Sequence, residues 1–485
     1  MSSPLWLGID LGTQSVRAIA VDNAGRILAQ ASAPLTSHRD GPRHTQLSEE
    51  WWSAVCACCL AVTRELDGRP ITALSIDATS GTILLLDNNL QPTTEALMYD
   101  DARASVESDD INAAGESFWQ QMGYRTQRSW ALPKLLWLQR NQPQLLRDAQ
   151  LVHQNDFIHA RLAGQLLPTD SSHALKTGYD LVHNHWPHVL FDHLQLPATL
   201  FPTVSAPGQI LGEIIPAAAA ATGLPSGCLI ISGMTDGCAS QIAAGAIAHG
   251  QWNSVIGTTL VLKGASRDRV LDPLGVVYSH RSPSGLWLPG GASSVGAGMI
   301  TKLFPSADLD AMNEAATALG IPKSVMYPLA GQGERFPFSA PEAHAFTLGS
   351  PSTAVEEYAA LLTGVACIER LCFDYLSQLG APASGQLSIT GGATRSAFWN
   401  QLRADILQRP LRIPSSTEAA FGAAILAASH ASSLEESVQS MVHLRETIQP
   451  RPYLAGAFDA LYHQLIEALH QRGWLPQSIT AGGTV

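Results

Sequence analysis

Apolar runs at the start of the chain predict a β-hairpin. Leu5–Ile9 and Val16–Val21 are largely apolar. Between them lies the polar segment Asp10–Ser15, which contains Gly12. Two strands joined by a short polar tip with glycine are typical of an antiparallel hairpin. After an Asn-Ala-Gly turn, Arg26–Ala33 alternates apolar and polar residues, which predicts a third strand and a three-stranded antiparallel meander.

Further along, strands alternate with helices and polar clusters, a pattern typical of α/β sheets. A predicted helix over Ser48–Leu66 precedes a buried strand, Ile71–Asp77, which is followed by the polar segment Ala78–Thr82. Cys228–Ser232 is a second buried strand ahead of a small-residue helix, which places Asp236 at a strand-to-helix junction. A carboxylate at such a junction is either a helix cap or a general base, and this segment alone leaves both open.

The plan of the first hairpin recurs in the middle of the chain. Trp252–Ile256 predicts a strand, Gly257–Thr259 a tip and Leu260–Gly264 a return strand. Two like hairpins separated by a long α/β region predict two similar domains facing each other across a cleft. We predict two domains, residues 1–247 and residues 248–485. Two Gly-Thr tips are suited to holding one polyphosphate from both sides.

Glycine-rich turns follow predicted strands in the second half of the chain. A strand at 286–288 precedes the loop Gly290–Gly298, and Leu387–Thr390 precedes Gly391–Ser396. Glycine-rich loops ahead of helices allow a nucleotide to approach the backbone closely. No Gly-Lys dipeptide occurs, so the lysine-bearing phosphate loop is absent. Ser416–Ala428 predicts a helix of small residues packed close to a neighbour.

Composition and charge narrow the class of protein. With 485 residues, 46% of them hydrophobic and 14% charged, the chain is long enough for two or three globular domains. A net charge of −12 without basic clusters argues against a nucleic-acid surface. We find no signal peptide and no long apolar run, so we expect a cytoplasmic protein without membrane partners, as a monomer or homodimer. Seven thinly spread cysteines favour reduced thiols.

The tip of the first hairpin carries candidate ligand groups. Gly12 lets the backbone approach a ligand, and Thr13 and Gln14 offer donors to phosphate oxygens. Asp10 has a carboxylate that can hold a divalent cation directly or through water. The alternative for these residues taken singly is an ordinary turn.

Several motifs occur together in one order along nearly the whole chain: Asp10-Leu-Gly-Thr13, Ser232-Gly-Met-Thr-Asp-Gly237, Gly257-Thr-Thr259 and Thr390-Gly-Gly-Ala-Thr-Arg395. In this order they resemble the FGGY family of carbohydrate kinases. Six stretches are most similar to the plant and cyanobacterial D-ribulose kinase (xylulokinase-like) branch of that family: Ile76–Thr82, Ala174–Tyr179, Tyr278–His280, Trp287–Ser293, Gly333–Pro337 and Thr417–Gly422.

The resemblance implies an α/β fold with two actin-like (ribonuclease H-like) domains around a cleft that closes on ATP, Mg²⁺ and a sugar. It implies transfer of the γ-phosphoryl group of ATP to a ketopentose, D-ribulose first, giving D-ribulose 5-phosphate. Residues 77–82 read Asp-Ala-Thr-Ser-Gly-Thr where xylulokinases have Met-His-Gly-Gln, which counts against D-xylulose. The alternatives are D-xylulose or another pentulose or polyol, and, in another class, an actin-like or chaperone-type ATPase.

The resemblance also implies roles for single residues. Asp236 is the expected catalytic base, and Asp10 and Thr13 complete the expected catalytic set. Asp10 and Asp236 are the expected Mg²⁺ ligands, and these two aspartates and Ser80 are expected to contact the sugar. The expected nucleotide contacts are Gly12, Thr13, Gln14, Gly257, Thr258, Gly296, Gly391, Gly392, Ser396 and Trp399, the last offering its ring face to adenine.

Overall fold

Strands and helices in the computed structural model, which describes residues 3–482, belong to two units of the chain. The first unit contains the chain through Gly245, His280–Gly285 and Ser416–Val442. The second unit contains Ala246–Ser279, Leu286–Ser415 and the chain from His443 onward.

This division differs from the two contiguous halves, 1–247 and 248–485, that the sequence led us to expect. Residues 280–285 and 416–442 pack in the first unit although they follow the first half in the chain. The second of these segments consists largely of two helices, of which the first packs against strands from the start of the chain and against the second helix.

The strands, in chain order, are β1 (Leu5–Leu11), β2 (Ser15–Val21), β3 (Ile27–Pro34), β4 (His38–Asp40), β5 (Arg43–Gln46), β6 (Ile71–Ala78), β7 (Ile83–Leu86), β8 (Ala96–Leu97), β9 (Gln150–His153), β10 (Thr169–Asp170), β11 (Val204–Ser205), β12 (Ile210–Glu213), β13 (Leu229–Ile231), β14 (Trp252–Ile256), β15 (Leu260–Gly264), β16 (Tyr278–Arg281), β17 (Trp287–Ser293), β18 (Val325–Tyr327), β19 (Phe346–Leu348), β20 (Leu387–Thr390), β21 (Leu411–Pro414) and β22 (Leu444–Ile448).

The α-helices are α1 (Ser48–Glu65), α2 (Glu107–Ala114), α3 (Glu116–Met122), α4 (Ala131–Asn141), α5 (Gln154–Ala163), α6 (Ser171–Ala174), α7 (His188–His193), α8 (Pro216–Thr222), α9 (Asp236–Ala243), α10 (Gly298–Leu303), α11 (Leu309–Leu319), α12 (Ala354–Gln378), α13 (Ala397–Leu407), α14 (Ala419–Ser429), α15 (Leu434–Met441) and α16 (Asp459–Gln471). Short 3₁₀ helices lie at Pro143–Leu146, Leu175–Thr177, Ala198–Leu200, Gly392–Arg395 and Pro452–Leu454.

A six-stranded sheet with the order β12-β13-β6-β1-β2-β3 forms the centre of the first unit. The predicted antiparallel meander of β1, β2 and β3 is confirmed. β6 runs parallel to β1, and β13 runs parallel to β6. Because β1 and β6 are buried along nearly their whole length, they are continuous apolar runs rather than alternating ones.

The sheet of the second unit repeats this topology. From β17 onward, its strands follow the order β17-β15-β14-β20-β21-β22. β14, β15 and β17 form an antiparallel meander, β20 is parallel to β14, and β21 is parallel to β20. β22 is antiparallel to β21, as β12 is to β13. The internal duplication predicted from the two hairpins is therefore confirmed for the sheets.

Helix α14 packs against β1, β6 and α9 of the first unit. A Cβ atom on Gly8 of β1 would lie 1.8 Å from the carbonyl oxygen of Ala420 and 2.5 Å from the nitrogen of Ala424. A Cβ atom on Gly422 would lie 1.9 Å from the carbonyl oxygen of Ala239 in α9. The backbones approach so closely here that only glycine fits at both positions.

A buried ion pair joins three elements of the second unit. Arg403 of α13 donates two hydrogen bonds of 2.8 Å to the carboxylate of Glu369 in α12. It donates a third, of 3.0 Å, to Ser254 Oγ in β14. The side chains of Arg403 and Glu369 are both fully buried, so each charge depends on the other for compensation.

Three further sequence expectations are tested by the fold. All seven cysteines are free thiols. No helix within residues 3–482 combines the length and the apolar character needed to cross a bilayer. The loop expected over Gly290–Gly298 begins later than predicted, because β17 continues through Gly290 and Gly291 to Ser293.

Candidate active site

Three aspartates lie at the ends of neighbouring parallel strands of the first unit. Asp10 in β1 is paired in register with Asp77 in β6. Ala78, the last residue of β6, bridges to Thr235, and Asp236 begins α9 directly afterwards. The carboxyl ends of parallel strands meet at one edge of a sheet, which is why residues so far apart in sequence converge.

The environment of this cluster disfavours full ionisation. Burial raises the pKa of Asp77 well above its ordinary value, and the charges of Asp10 and Asp236 raise it further. Burial, together with Asp236, also raises the pKa of Asp10 to about 6. Arg17, which forms a 2.8 Å ion pair with Glu418, opposes the rise at Asp10. Burial therefore disfavours the charged forms of Asp10 and Asp77.

Backbone and side-chain hydrogen bonds hold Asp236 in place. Its Oδ1 accepts a 2.6 Å hydrogen bond from the nitrogen of Gly237. The nitrogen of the preceding residue, Thr235, donates at 2.8 Å to Ser172 Oγ. That hydroxyl donates in turn to Asp170 Oδ1 at 2.7 Å. The position of Asp236 is thus linked to a buried network on α6.

A buried histidine–aspartate pair forms the core of that network. His173 Nδ1 donates to Asp170 Oδ2 at 2.6 Å, and neither side chain is more than 1% exposed. Burial alone would raise the pKa of Asp170, but His173 and Ser172 bring it below its ordinary value. Burial alone would lower the pKa of His173, but Asp170 raises it above the ordinary value, with a contribution from Asp236. Each partner therefore favours the charged form of the other.

The loop after β6 positions Ser80. Its Oγ is buried and has no hydrogen-bond partner among the described residues. Lys176 Nζ donates to the carbonyl oxygen of Ser80 at 3.3 Å. The fully buried Lys134 donates to the carbonyl oxygen of Gly81 at 3.2 Å and to three other carbonyl groups. Two lysines therefore fix the backbone carbonyl groups of Ser80 and Gly81, beside a hydroxyl whose own bonding capacity is unused.

The tip of the first hairpin contains Gly12, Thr13 and Gln14. The nitrogen of Gly12 donates to the carbonyl oxygen of Ser15 at 3.1 Å, which closes the turn. Gln46 Nε2 donates to the carbonyl oxygen of Thr13 at 2.6 Å. The Thr13 side chain is half-buried and that of Gln14 is exposed.

The tip of the second hairpin has the same length and the same Gly-Thr start. The nitrogens of Ala297 and Gly298 donate to the carbonyl oxygens of Gly257 and Thr258, at 2.8 and 3.1 Å. A Cβ atom on Gly296 would lie 2.6 Å from the carbonyl oxygen of Thr258. The structure therefore brings Gly257, Thr258 and Gly296 together in the second unit.

The glycine turn after β20 lies beside the same strand end. Gly391 has a φ of 86°, and a Cβ atom there would lie 2.5 Å from the carbonyl oxygen of Ile256. Gly392 is exposed, with open space around it. Ser396 caps α13 by accepting from the nitrogen of Trp399 at 3.1 Å and donates to Asn313 Oδ1 at 2.9 Å. Its hydroxyl is therefore committed to protein contacts.

The position of Trp399 differs from the one expected for a ring that stacks on adenine. Its side chain is only 2% exposed and packs in the core of the second unit. Its indole nitrogen donates to the carbonyl oxygen of Leu362 in α12 at 3.3 Å. The ring is enclosed by protein, so it does not present a face for stacking in this structure.

Sequence reasoning did not single out Asp77, Asp170 or His173 as site residues. Asp77 had an available signal, because it ends a predicted buried strand just as Asp10 does. Asp170 and His173 lie in a polar segment without periodicity, and only the tertiary structure shows their link to Asp236 through Ser172 and Thr235.

Two family models match most of the chain. Residues 5–243 match the model of the FGGY family of carbohydrate kinases, N-terminal domain, and residues 252–431 match that of its C-terminal domain. The xylulose kinase of Escherichia coli (strain K12) is 26% identical over 436 residues, which cover 87% of this chain and 89% of that protein.

Solved structures share the fold. The xylulose kinase from Rhodospirillum rubrum superposes with a TM-score of 0.87 at 26% identity, covering 96% of this chain and 99% of that one. The gluconate kinase from Lactobacillus acidophilus gives a TM-score of 0.88 at 21% identity, covering 97% and 98%. Relatives named for different sugars thus have the same fold. The fold alone therefore does not identify the sugar substrate.

Proposed function

Because the chain belongs to the FGGY family of carbohydrate kinases, we propose that it transfers the γ-phosphoryl group of ATP to a hydroxyl of a ketopentose. The observation that carries this proposal is the convergence of Asp10, Asp77 and Asp236 at neighbouring strand ends. Phosphoryl transfer to an alcohol needs a group that accepts the hydroxyl proton and a site for a divalent cation, and carboxylates serve both needs.

Asp236 is the base in this proposal. One of its oxygens is held by the nitrogen of Gly237, which leaves the other free to accept the proton of the attacking hydroxyl. An ordinary aspartate suffices, because the hydroxyl loses its proton late in a loose transition state. The link through Thr235 and Ser172 to Asp170 keeps the carboxylate in a fixed orientation during the transfer.

Asp10 and Asp236 are the residues that would hold Mg²⁺. The donor set fits this ion, because hard divalent cations prefer carboxylate oxygens. Burial and, after it, the charge of Asp236 raise the pKa of Asp10, and a bound cation would favour the charged form of this carboxylate. When bound, the ion would neutralise charge on the phosphate oxygens.

Ser80, with Asp10 and Asp236, is proposed to contact the sugar. Its buried hydroxyl without a partner among the described residues supports this role, because a sugar hydroxyl would complete its hydrogen bonding. The proposed ATP contacts are Gly12, Thr13, Gln14, Gly257, Thr258, Gly296, Gly391, Gly392 and, through its backbone, Ser396. Trp399 is not retained, because it is buried.

We place D-ribulose first among the sugars. Residues 77–82 read Asp-Ala-Thr-Ser-Gly-Thr in place of the Met-His-Gly-Gln stretch of xylulokinases, which counts against D-xylulose. D-Xylulose is the second candidate, and the relatives named xylulose kinase support it.

Coupled ADP release with Mg-ATP tests the proposal against D-ribulose, D-xylulose, L-ribulose, ribitol, glycerol and a blank without sugar. We expect the highest kcat/KM with D-ribulose. Asp236→Ala should lower kcat by about 10²–10⁴-fold, the range for loss of a general base. Ser80→Ala should raise KM for the sugar and leave KM for ATP unchanged.

Asp192→Ala is the matched control, because Asp192 is an exposed aspartate of the first unit. It should leave all constants unchanged. A preference for D-xylulose would overturn the sugar assignment and leave the kinase proposal in place. ADP release that is equal in the blank and in every sugar would overturn the kinase proposal itself.

A further inference from the structure

A turn in the first unit gathers an aspartate and two histidines outside the proposed kinase site. One ligand atom each of Asp180, His183 and His185 lies within 4.8 Å of the other two. The nitrogen of Asp180 donates to the carbonyl oxygen of His185 at 3.0 Å, which closes the turn. Asn184, between the histidines, has a φ of 57°, a left-handed conformation that asparagine tolerates.

The carboxylate of Asp180 divides its two oxygens between the turn and the histidines. Oδ1 accepts from the nitrogens of Val182 and His183, at 2.7 and 3.0 Å. Oδ2 lies 2.7 Å from His183 Nδ1 and 3.8 Å from His185 Nε2. An anionic oxygen is therefore held beside both rings.

A backbone contact fixes the tautomer of His185. Its Nδ1 lies 3.0 Å from the carbonyl oxygen of Trp186. Because a carbonyl oxygen only accepts, Nδ1 carries the hydrogen, and the neutral ring has its lone pair on Nε2. That nitrogen is the one nearest to Asp180 Oδ2. A ligating histidine that donates its other N–H to a carbonyl group is the usual arrangement in metal sites.

His183 can supply the third ligand by a change of tautomer. Its Nδ1 now donates to Asp180 Oδ2. When an ion takes the place of that hydrogen, the proton moves through solvent to Nε2, and Nδ1 becomes the ligand without net proton loss. The two histidine side chains are 49% and 57% exposed, so water and ions reach them.

The distances and ligand types select the class of ion. Ligands bound to zinc at about 2.0–2.1 Å lie about 3.3 Å apart at tetrahedral angles. The two separations from Asp180 Oδ2, 2.7 and 3.8 Å, bracket this value. Imidazole suits zinc, nickel and copper, whereas magnesium and calcium prefer oxygen ligands. We infer that Asp180, His183 and His185 bind a divalent transition-metal ion, with Zn²⁺ the first candidate and water completing the coordination.

The ion would also fix the wall of a neighbouring cavity. A cavity of about 390 Å³ in the first unit is lined by Tyr179, Leu181 and Asn184 of the same turn. Because the ligands alternate along the chain with these lining residues, binding of an ion would restrain the wall directly.

Isothermal titration calorimetry with ZnCl₂ tests the inference on the full chain without an added histidine tag. Excess MgCl₂ is present to occupy the carboxylates of Asp10 and Asp236, so that zinc binding at these two residues does not contribute to the measured heat. We expect one Zn²⁺ per chain, and a rise in the midpoint of thermal unfolding with ZnCl₂. His185→Ala, His183→Ala and Asp180→Asn should each weaken the dissociation constant at least about tenfold. Asparagine at position 180 keeps an acceptor for the turn.

His188→Ala is the matched control, because His188 is exposed and lies outside the cluster. It should leave zinc binding unchanged. Absence of zinc binding by the natural chain would overturn the inference. So would unchanged affinity in the folded cluster variants, or equal weakening by His188→Ala. Three separate cluster variants ensure that misfolding of one leaves the others as the test.

Discussion

At the scale of single residues, Asp77 has the highest energetic cost in the site. Its side chain is fully buried next to Asp10 and Asp236, and burial raises its pKa. A proton retained on Asp77 lets the Asp10–Asp77 pair carry one negative charge instead of two. A natural protein keeps such a costly group where function depends on it, at the expense of stability.

Asp77→Asn should therefore stabilise the protein and weaken its activity. A raised pKa in the folded state means that the unfavourable contribution is absent below the ordinary aspartate pKa of about 3.9 and grows as pH rises toward the folded value. In metal-free buffer at pH 7 we expect a gain of about 1 kcal/mol or more in the free energy of unfolding, and a loss of sugar-dependent ADP release. Thermal unfolding at about pH 7 and about pH 4 measures the gain, which should vanish at the lower pH.

The buried Asp170–His173 pair makes the opposite contribution. Asp170→Asn leaves His173 buried without its anion, which should cost about 3 kcal/mol of unfolding free energy. The raised pKa of His173 contributes stability that is full below the ordinary histidine pKa of about 6.5 and is lost as pH rises through the folded value. Urea unfolding of both proteins at about pH 6 and about pH 9 should show the larger difference at pH 6. A difference that grows toward pH 9 would contradict this account.

At the scale of elements, the contact between α14 and β1 depends on the absence of side chains. Gly8→Ala forces a methyl group against the backbone of α14 and should lower the free energy of unfolding by about 1–3 kcal/mol or more. Gly212→Ala in β12 is the control, because its added methyl group meets Leu167 at an ordinary 3.6 Å. Urea unfolding measures both, and equal effects of the two substitutions would contradict the close-packing explanation.

The sequence predicts elements with a strong period better than it predicts their partners. The meander, the buried strand ending at Asp77 and the two Gly-Thr hairpins follow directly from apolar patterns. The pattern of α14 shows only that it is buried on all sides, and nothing local indicates that its partner is β1. Its packing position depends on the close backbone approach at Gly8, which only the tertiary structure shows.

Glycine and tryptophan account for two specific misreadings. Gly290 and Gly291 look like loop residues, but β17 uses them because a Cβ atom there would lie 2.2 Å from the carbonyl oxygen of Leu262 or 2.5 Å from the Phe336 ring. Trp399 follows a glycine turn, which is typical of a ligand contact, yet it fills the core instead. In both cases packing against an element distant in sequence determines the structural role of the residue. The local sequence pattern does not indicate that packing.

At the scale of the whole molecule, the two units share one sheet topology but differ in the residues at the ends of the corresponding strands. In the first unit the strand ends carry acids, Asp10 and Asp77. In the second unit the corresponding ends, Val255 and Thr390, are uncharged and lead into Gly257 and Gly391. One unit is thus suited to proton and cation chemistry, and the other to close backbone approach by a ligand.

The chain 1–247 should not fold on its own, because it lacks helix α14, which packs against β1 and β6. We expect it to be insoluble or to lack a cooperative thermal transition. The same segment joined to residues 416–442 through a flexible Gly-Ser linker should regain such a transition. Circular dichroism during heating compares the two, and cooperative unfolding of 1–247 alone would contradict the prediction.

The late position of α14 in the chain also matters while the protein is being made. The strands that it covers, β1 and β6, end about 410 and about 340 residues before α14 begins. At about 5–20 residues per second, translation leaves the apolar face of β1 and β6 uncovered for roughly 20–80 s. The first unit therefore cannot finish folding before most of the second has been synthesised. During that interval its sheet exposes apolar surface of the kind that chaperones bind.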